Sequence, residues 1–429
     1  WNRFEKNHSY KEWGHFTSKD LLHWNWEGSA LLPDQFYEQN GVYSGSALIK
    51  DGQLRLFYTG NNKSGGVRKS SQCLAVTKDG KTFQKKGIVL STPAEFTEHF
   101  RDPKVWQDGD NYYMVIGAQM KNGRGSVALC SSKDAENWKF ELVLAKSKEY
   151  EMVECPDYFQ VDGQGILLYC PQHRDNESDS SLCSFSAYKE FDFDDIVSGK
   201  LEDSNVQNLD EGRKKMDQGF DFYAPQTTEL PDGRRIMIAW MKSWDACVIP
   251  NSQVWQGMMT LPRELELKDG KIWQTPVREI EKYHKNPCRY DHAEINQETT
   301  LCGIEGRTID LTVLLEEDEF QTFSMKLAAN KEYETSFTYH KAENMLEIDR
   351  TYCGVTKDVV CVRKLKISNP EGLKKMRFIL DRQSIELFLN DGEQVATTAI
   401  CTPLEAQEIH FCSDKKMHIN VEKYDIVKL

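Results

Sequence analysis

Ser18-Lys19-Asp20-Leu21-Leu22-His23-Trp24 is a heptad that the chain uses three times, returning as Thr77-Lys78-Asp79-Gly80-Lys81-Thr82-Phe83 and Ser132-Lys133-Asp134-Ala135-Glu136-Asn137-Trp138. Each copy opens with a hydroxyl residue, Lys and Asp and closes on an aromatic. A second series keeps register with it: Asp51-Gly52, Asp108-Gly109, Asp162-Gly163 and Asp232-Gly233. These pairs lie between β-rich runs such as Leu54-Arg55-Leu56-Phe57-Tyr58 and Asn111-Tyr112-Tyr113-Met114-Val115-Ile116. Asp and Gly tolerate the positive φ of a tight hairpin, so each pair predicts a turn between two strands. Units of roughly 50 to 60 residues hold four strands, and a row of them points to a β-propeller. A β-sandwich with chance turns is the alternative, and two series in register argue against it. Asp192 to Lys215 lengthens the interval before the fourth hairpin and reads as an insertion.

The same register puts a hairpin ahead of the first heptad, before Trp1. The chain is therefore expected to begin inside a blade, with a further segment preceding it, because missing inner strands would leave an unpaired edge. Past about residue 280 the repeats stop. Pro276 to Asp291 is polar, carries two prolines and reads as a linker. Beyond it, Thr308-Ile309-Asp310-Leu311-Thr312-Val313 and Ser384-Ile385-Glu386-Leu387-Phe388-Leu389 alternate as strands do. The expectation is an all-β chain, with a β-propeller over residues 1–280 and a β-sandwich over 290–429.

Composition narrows the function. Of 429 residues 39% are hydrophobic and 11% aromatic, enough for sizeable cores and against disorder. The formal charge of −13 repels phosphate backbones and anionic membranes, so neither nucleic acid nor membrane is an expected partner. The twelve cysteines form no Cys-x-x-Cys pair, and Cys130 and Cys170 sit in apolar runs, as reduced core thiols of a cytoplasmic protein do. The histidines show no metal-ligand spacing, His15 and His23 read as structural, and no glycine-rich loop resembles a phosphate cradle. No metal or cofactor is implied.

The inner strand of each blade starts near the propeller axis, so polar residues at those starts converge. Counting back from the hairpin tips gives Ser44, Asp102, Glu154 and Ala224. Two carboxylates across a sugar-sized gap are the usual apparatus of glycoside hydrolysis. Val153 and Cys155 would desolvate Glu154 and raise its pKa, as a general acid needs, while Arg101 would keep Asp102 ionised. Solvated or salt-bridged carboxylates are the plainer reading. Trp13, Tyr43 and Trp240 lie near strand ends and would stack on a sugar, or else serve the core. The basic leader Arg3, Lys6, His8 and Lys11 adjoins Trp13 and would accept a phosphate, or else form a solvated surface.

Several segments carry a resemblance. Trp13-Gly14-His15-Phe16-Thr17-Ser18-Lys19-Asp20, Tyr43-Ser44-Gly45-Ser46, Phe57-Tyr58-Thr59-Gly60-Asn61, Phe100-Arg101-Asp102-Pro103, Glu154-Cys155-Pro156-Asp157, Asp217-Gln218-Gly219-Phe220-Asp221-Phe222-Tyr223 and Met259-Thr260-Leu261-Pro262-Arg263-Glu264 occur in this order. Together they resemble glycoside hydrolase family 32, the β-fructosidases, and within it the bacterial branch that cleaves sucrose 6-phosphate. The resemblance implies a five-bladed propeller with a C-terminal β-sandwich and retaining cleavage of a small-molecule β-fructofuranoside, without cofactor. It makes Glu154 the general acid/base and Asp102 the transition-state stabiliser. Arg101, Trp13, Tyr43 and Ser44 would line the fructose subsite, with Asp221, Tyr223 and Trp240 as walls and Arg3 and Lys11 for a phosphate. The family's nucleophile is an Asp in an Asn-Asp-Pro-Asn-like motif that this chain lacks, and it is expected ahead of Trp1. Two rivals stand: a sialidase, because Thr77–Phe83 resembles that family's Asp-box, and a sugar-binding propeller without turnover.

Overall fold

The Asp-Gly pairs turn where the sequence puts them. In the computed structural model, which describes residues 10–173, 185–193, 206–241, 257–354 and 360–427, Asp51-Gly52 and Asp162-Gly163 are two-residue hairpin loops. Both residues of each loop have positive φ, 51° and 68° in the first and 50° and 79° in the second. Around Asp108 the loop slips by one: Asp108 pairs with Asn111, and Gly109-Asp110 makes the turn. Asp232-Gly233 lies in a wider turn, closed by Leu230 N–H donating to the Arg234 carbonyl at 2.9 Å.

The heptads are turn locks of one design. Backbone N–H groups two and three residues on donate to the Asp carboxylate: Leu22 and His23 to Asp20, Lys81 and Thr82 to Asp79, Glu136 and Asn137 to Asp134, all at 2.8–3.1 Å. The residue after each Asp is left-handed, with φ of 64° at Leu21, 68° at Gly80 and 58° at Ala135. The backbone donors hold the Asp79 and Asp134 carboxyls far below their ordinary pKa.

Each lock joins two antiparallel strands. The first four-stranded sheet runs Val42–Lys50, Gln53–Asn62, Lys69–Thr77, Gln84–Ser91 in chain order, with its lock between the third and fourth strands. The second runs Phe96–Asp108, Asn111–Met120, Gly125–Ser132, Lys139–Lys146, and Gln207–Asn208 adds to it in parallel. The third is Met152–Val161, Gln164–Gln172, Ala187–Glu190 and Lys214–Lys215. A fourth contains Tyr223–Glu229, Arg235–Met241, Arg263–Lys268 and Lys271–Pro276. The ribbon Trp13–Thr17 with Asn25–Leu31 carries the first lock. Among the described residues these are four propeller-like blades and a two-stranded ribbon. The described tail of the Asp192–Lys215 stretch is not a free loop, because its two short strands extend the second and third sheets.

The strand Asn111–Met120 is buried on both faces. Met114 and Ile116 point into one core with Phe57, Leu74 and Trp138, while Tyr113 and Val115 point into the next with Val153, Tyr158 and Leu167. This two-sided burial explains why such strands read as continuous apolar runs rather than alternating ones.

The described residues form two compact units, residues 1–215 with 224–227, and 216–223 with 228–429. In the second unit the 19-residue strand Glu408–Ile426 is central. It pairs with His284–Thr299 on one side, and with Ile309–Leu315 and Thr322–Ala329 on the other. From His284 on, the strands are β-sandwich-like and share a core that includes Phe323, Phe337, Phe378, Leu387 and Phe411. In the same unit Arg263 is wholly buried. It donates to Glu386 at 2.6 and 3.1 Å, to Asp217 at 3.1 Å, to Gln274 at 2.9 Å and to Thr397 at 2.6 Å. Phe222 and Phe388 flank its guanidinium, at 5.0 and 5.4 Å.

One expectation is corrected. Pro276 to Asp291 is not a linker: Arg278–Tyr283 is a 3₁₀ helix that buries Ile280 and Tyr283, and from His284 the chain is already strand. Its polarity comes from a strand whose side chains are mostly exposed. The ten cysteines among the described residues are free thiols, with Cys130 and Cys170 buried.

Candidate active site

The counting that singled out Ser44, Asp102, Glu154 and Ala224 finds backbone irregularities. The pairing register skips between Tyr43 and Gly45, between Arg101 and Lys104, and between Glu154 and Asp157. Asp102, Cys155 and Ala224 have φ of 65°, 47° and 50°. Each precedes a proline. A left-handed residue before proline is doubly disfavoured, so three sheets hold the same strained bend at the same place. The bend turns the side chains at the strand start out of the ladder.

Two glycines allow the close approaches this requires. A Cβ on Gly117, which pairs with Arg101, would lie 2.3 Å from the Val153 carbonyl; one on Gly45 would lie 1.9 Å from that of Phe57. The Met152–Val161 strand can therefore come against the Arg101 hairpin. Ser46 then fastens the neighbouring bend, its hydroxyl donating to the Pro103 carbonyl at 2.8 Å and accepting from Val105 N–H at 3.0 Å.

Arg101, Asp102 and Glu154 are all buried. Arg101 donates through Nη2 and Nε to one oxygen of Glu154, at 2.6 and 3.2 Å, and lies 3.9 Å from Asp102. Its Nη1 meets His99 Nδ1 at 3.2 Å. Asp102 accepts from the Cys155 backbone N–H at 3.0 Å, and its own N–H donates to Thr59 Oγ1 at 3.0 Å. Thr59 donates to Gln72, and Gln72 to the Phe100 carbonyl. Behind them Asp157 accepts from Lys104 at 3.0 Å and from Thr227 N–H at 2.6 Å.

The electrostatics differ from the sequence expectation. The guanidinium closes on Glu154 rather than on Asp102. Burial pushes the Asp102 carboxyl up, against the pull of Arg101. Burial likewise raises the Cys155 thiol well above its ordinary range, so it is no thiolate nucleophile.

The other expected residues divide. Tyr43 is half-buried and Ser44 exposed at the first bulge. Trp13 donates its indole N–H to the Tyr43 carbonyl at 3.0 Å. Lys11 Nζ lies 4.7 Å from the centre of the Tyr43 ring, near enough to Glu154 and Asp102 for their charges to act on it, and burial lowers its pKa. Asp221, Tyr223 and Trp240 belong to the second unit. There Asp221 has a different occupation from a sugar-facing wall: it is fully buried, paired with Arg350, and accepts from Ala399 N–H at 2.9 Å. Tyr223 is buried, and Trp240 stands opposite Met259. Arg3 lies outside the described residues.

Sequence reasoning missed three contributors. Arg68 lies 6.0 Å from the Tyr43 ring, across from nothing its sequence neighbourhood announces. Thr59 stood in a quoted motif, yet its grip on Asp102 N–H depends on a contact between sheets. His99 lies two residues before Arg101 on the same strand, and its ring reaches the Arg101 guanidinium at 3.2 Å.

A buried pair of carboxylates, one charge-paired with an arginine and one held by backbone N–H, is suited to acid–base work on a sugar. Comparisons with known proteins agree. The chain is 35% identical over 408 residues to sucrose-6-phosphate hydrolase of Bacillus subtilis, covering 92% of this chain and 81% of that one. It is 33% identical to raffinose invertase of Escherichia coli, covering 92% and 82%. Among solved structures it is similar to sucrose-6-phosphate hydrolase from Lactobacillus gasseri, with a TM-score of 0.84 and 27% identity over 97% of this chain and 84% of that one. Residues 1–276 match the N-terminal domain of glycosyl hydrolases family 32 and residues 279–428 its C-terminal domain, and the chain thus belongs to that family of glycoside hydrolases.

Proposed function

We propose that the protein hydrolyses β-D-fructofuranosides with retention, preferring sucrose 6-phosphate to sucrose. The observation that carries the reading is the Arg101–Glu154–Asp102 group, buried as one and flanked by Lys11 and Tyr43. Glu154 protonates the leaving oxygen and later, ionised, takes a proton from water. Arg101 pairs with the carboxylate that this second half uses. Asp102, buried and fixed by Cys155 N–H, accepts fructose hydroxyls and opposes the positive charge that develops at the anomeric carbon. The retaining mechanism also requires a nucleophilic carboxylate, the role that the family's Asn-Asp-Pro-Asn-like motif fills.

Lys11 receives the 6-phosphate, with Arg68 on the same ring of Tyr43 as its partner, and the leader's Arg3 adds to them. The ribbon Trp13–Thr17 with Asn25–Leu31 holds the heptad lock that joins the third and fourth strands elsewhere, which favours reading it as the outer half of a fifth blade. Among the described residues no helix is long and apolar enough to cross a membrane. The free buried thiols favour a reducing compartment, the cytoplasm.

The test is fructose release from sucrose 6-phosphate, sucrose and a fructan by wild type, Glu154→Gln and Lys11→Met. Turnover of all three that Glu154→Gln leaves intact would refute the assignment of the acid. Equal losses on sucrose and its phosphate in Lys11→Met would remove the phosphate role.

A further inference from the structure

The C-terminal unit brings together two imidazoles and two carboxylates that the fructoside chemistry does not use. His418 lies on the central strand Glu408–Ile426, His292 on the adjacent strand His284–Thr299, and Glu316 directly follows the strand Ile309–Leu315 on the other side. Ladder pairing sets them side by side. Leu315 pairs with Ile419, so Glu316 falls beside His418, and its N–H donates to the His418 carbonyl at 3.2 Å. His292 occupies a break in register between Tyr290 and Ala293, with a φ of 53°. The two imidazole rings stack 3.9 Å apart and within 3° of parallel, so their in-plane lone pairs run side by side and one ring must turn about its Cβ–Cγ bond to share an ion with the other.

The surroundings fix these groups. Glu316 meets His292 Nδ1 at 2.9 Å. Asn420 accepts from the His292 backbone N–H at 2.9 Å and donates to the other Glu316 oxygen at 3.1 Å, so one amide orients two of the groups. Asp318 accepts the His418 backbone N–H at 2.5 Å and meets its Nδ1 at 3.1 Å. One donor atom from each of His292, Glu316 and His418 lies within 4.8 Å of the others. Asn420 and Asp318 are the kind of outer partner that holds metal ligands in place.

We propose that His292, Glu316 and His418 bind one divalent transition-metal ion of the zinc class, with Asp318 as the outer partner of His418. Imidazole with carboxylate suits zinc, cobalt, nickel and copper, whereas magnesium and calcium demand an all-oxygen shell. The ion joins three adjacent strands, and so binds the folded chain and stabilises it by mass action. The ligands are far apart in sequence and meet only across the ladder, which is why spacing along the chain does not show them.

The protein is stripped with chelator and titrated with Zn2+ by calorimetry, with thermal unfolding followed in parallel. Cobalt(II) absorption reports the ligand type. One equivalent is expected to bind, with a rise in Tm and a cobalt spectrum free of thiolate charge transfer, which separates this site from the free cysteines. His418→Gln, His292→Asn and Glu316→Gln should each weaken binding at least tenfold and leave fructoside hydrolysis unchanged. Asparagine is chosen at position 292 because it tolerates the left-handed backbone. Absence of saturable Zn2+ binding, or binding that survives both histidine replacements, would overturn the proposal.

Discussion

Replacing Arg263 with Met tests the polar centre of the second unit. The five contacts of its guanidinium are not equivalent once it is gone. Asp217 keeps three donors, the N–H groups of Gly219 and Thr397 and the Thr397 hydroxyl, at 2.6–2.9 Å. Glu386 keeps one, the N–H of Leu261 at 2.7 Å, and burial already pushes its pKa up. The stranded charge is therefore Glu386. Breaking a buried pair from one side costs about 3–5 kcal/mol, and Met still fills the space between Phe222 and Phe388. Glu386→Gln in the same chain removes the charge and should restore about 1–3 kcal/mol. Urea unfolding of wild type, the single and the double variant, followed by tryptophan fluorescence, gives the three stabilities. A single variant that loses under about 1 kcal/mol, or a double variant no more stable than the single, would refute the reasoning.

Other outcomes follow from the same structure. Glu154→Gln should lower kcat by roughly 10²- to 10⁴-fold with a smaller change in KM, read by fructose release. Asp102→Asn should abolish turnover yet raise Tm at neutral pH, because a carboxyl whose folded pKa is raised costs stability once pH passes that pKa; an unchanged or lower Tm would contradict the burial argument. For the same reason the acid limb of kcat/KM, measured as a pH profile, should lie above the ordinary aspartate value of 3.8. Asp134→Ala should destabilise at neutral pH, and its deficit should close as pH falls below 3.8, since a depressed carboxyl loses its contribution on protonation; a pH-independent gap in Tm would exclude the lock.

What the sequence disclosed was whatever depends on neighbours along the chain. The Asp-Gly hairpins and the heptads encode turns within a few residues, so their period gave the blades. Counting back from the hairpin tips singled out Asp102 and Glu154, and the structure brings both together with Arg101, although Arg101 and Asp102 lie inside the strand Phe96–Asp108 rather than at its start. Contacts between strands were not legible. Arg101 turns to Glu154 rather than to its neighbour Asp102 because Gly117 admits the next sheet, and nothing in the motif announces that. Asp221 shared a motif with presumed wall residues, and its partner Arg350 is supplied by distant chain. The polar run after Pro276 looked like a linker because a strand with an exposed face and a linker share a composition.

The bend before proline at Asp102, Cys155 and Ala224 separates an address from what is written there. The same backbone excursion carries a carboxylate in one sheet, a thiol in the next and a methyl group in a third. Because the bend is held by the strand register against the preference of the proline that follows, the occupant can change without redrawing the blade. A duplicated unit of this kind inherits a socket, and chemistry is acquired by single substitutions into it. Position 224, which holds only a methyl group, is thus the natural place to graft a new functional group onto this scaffold.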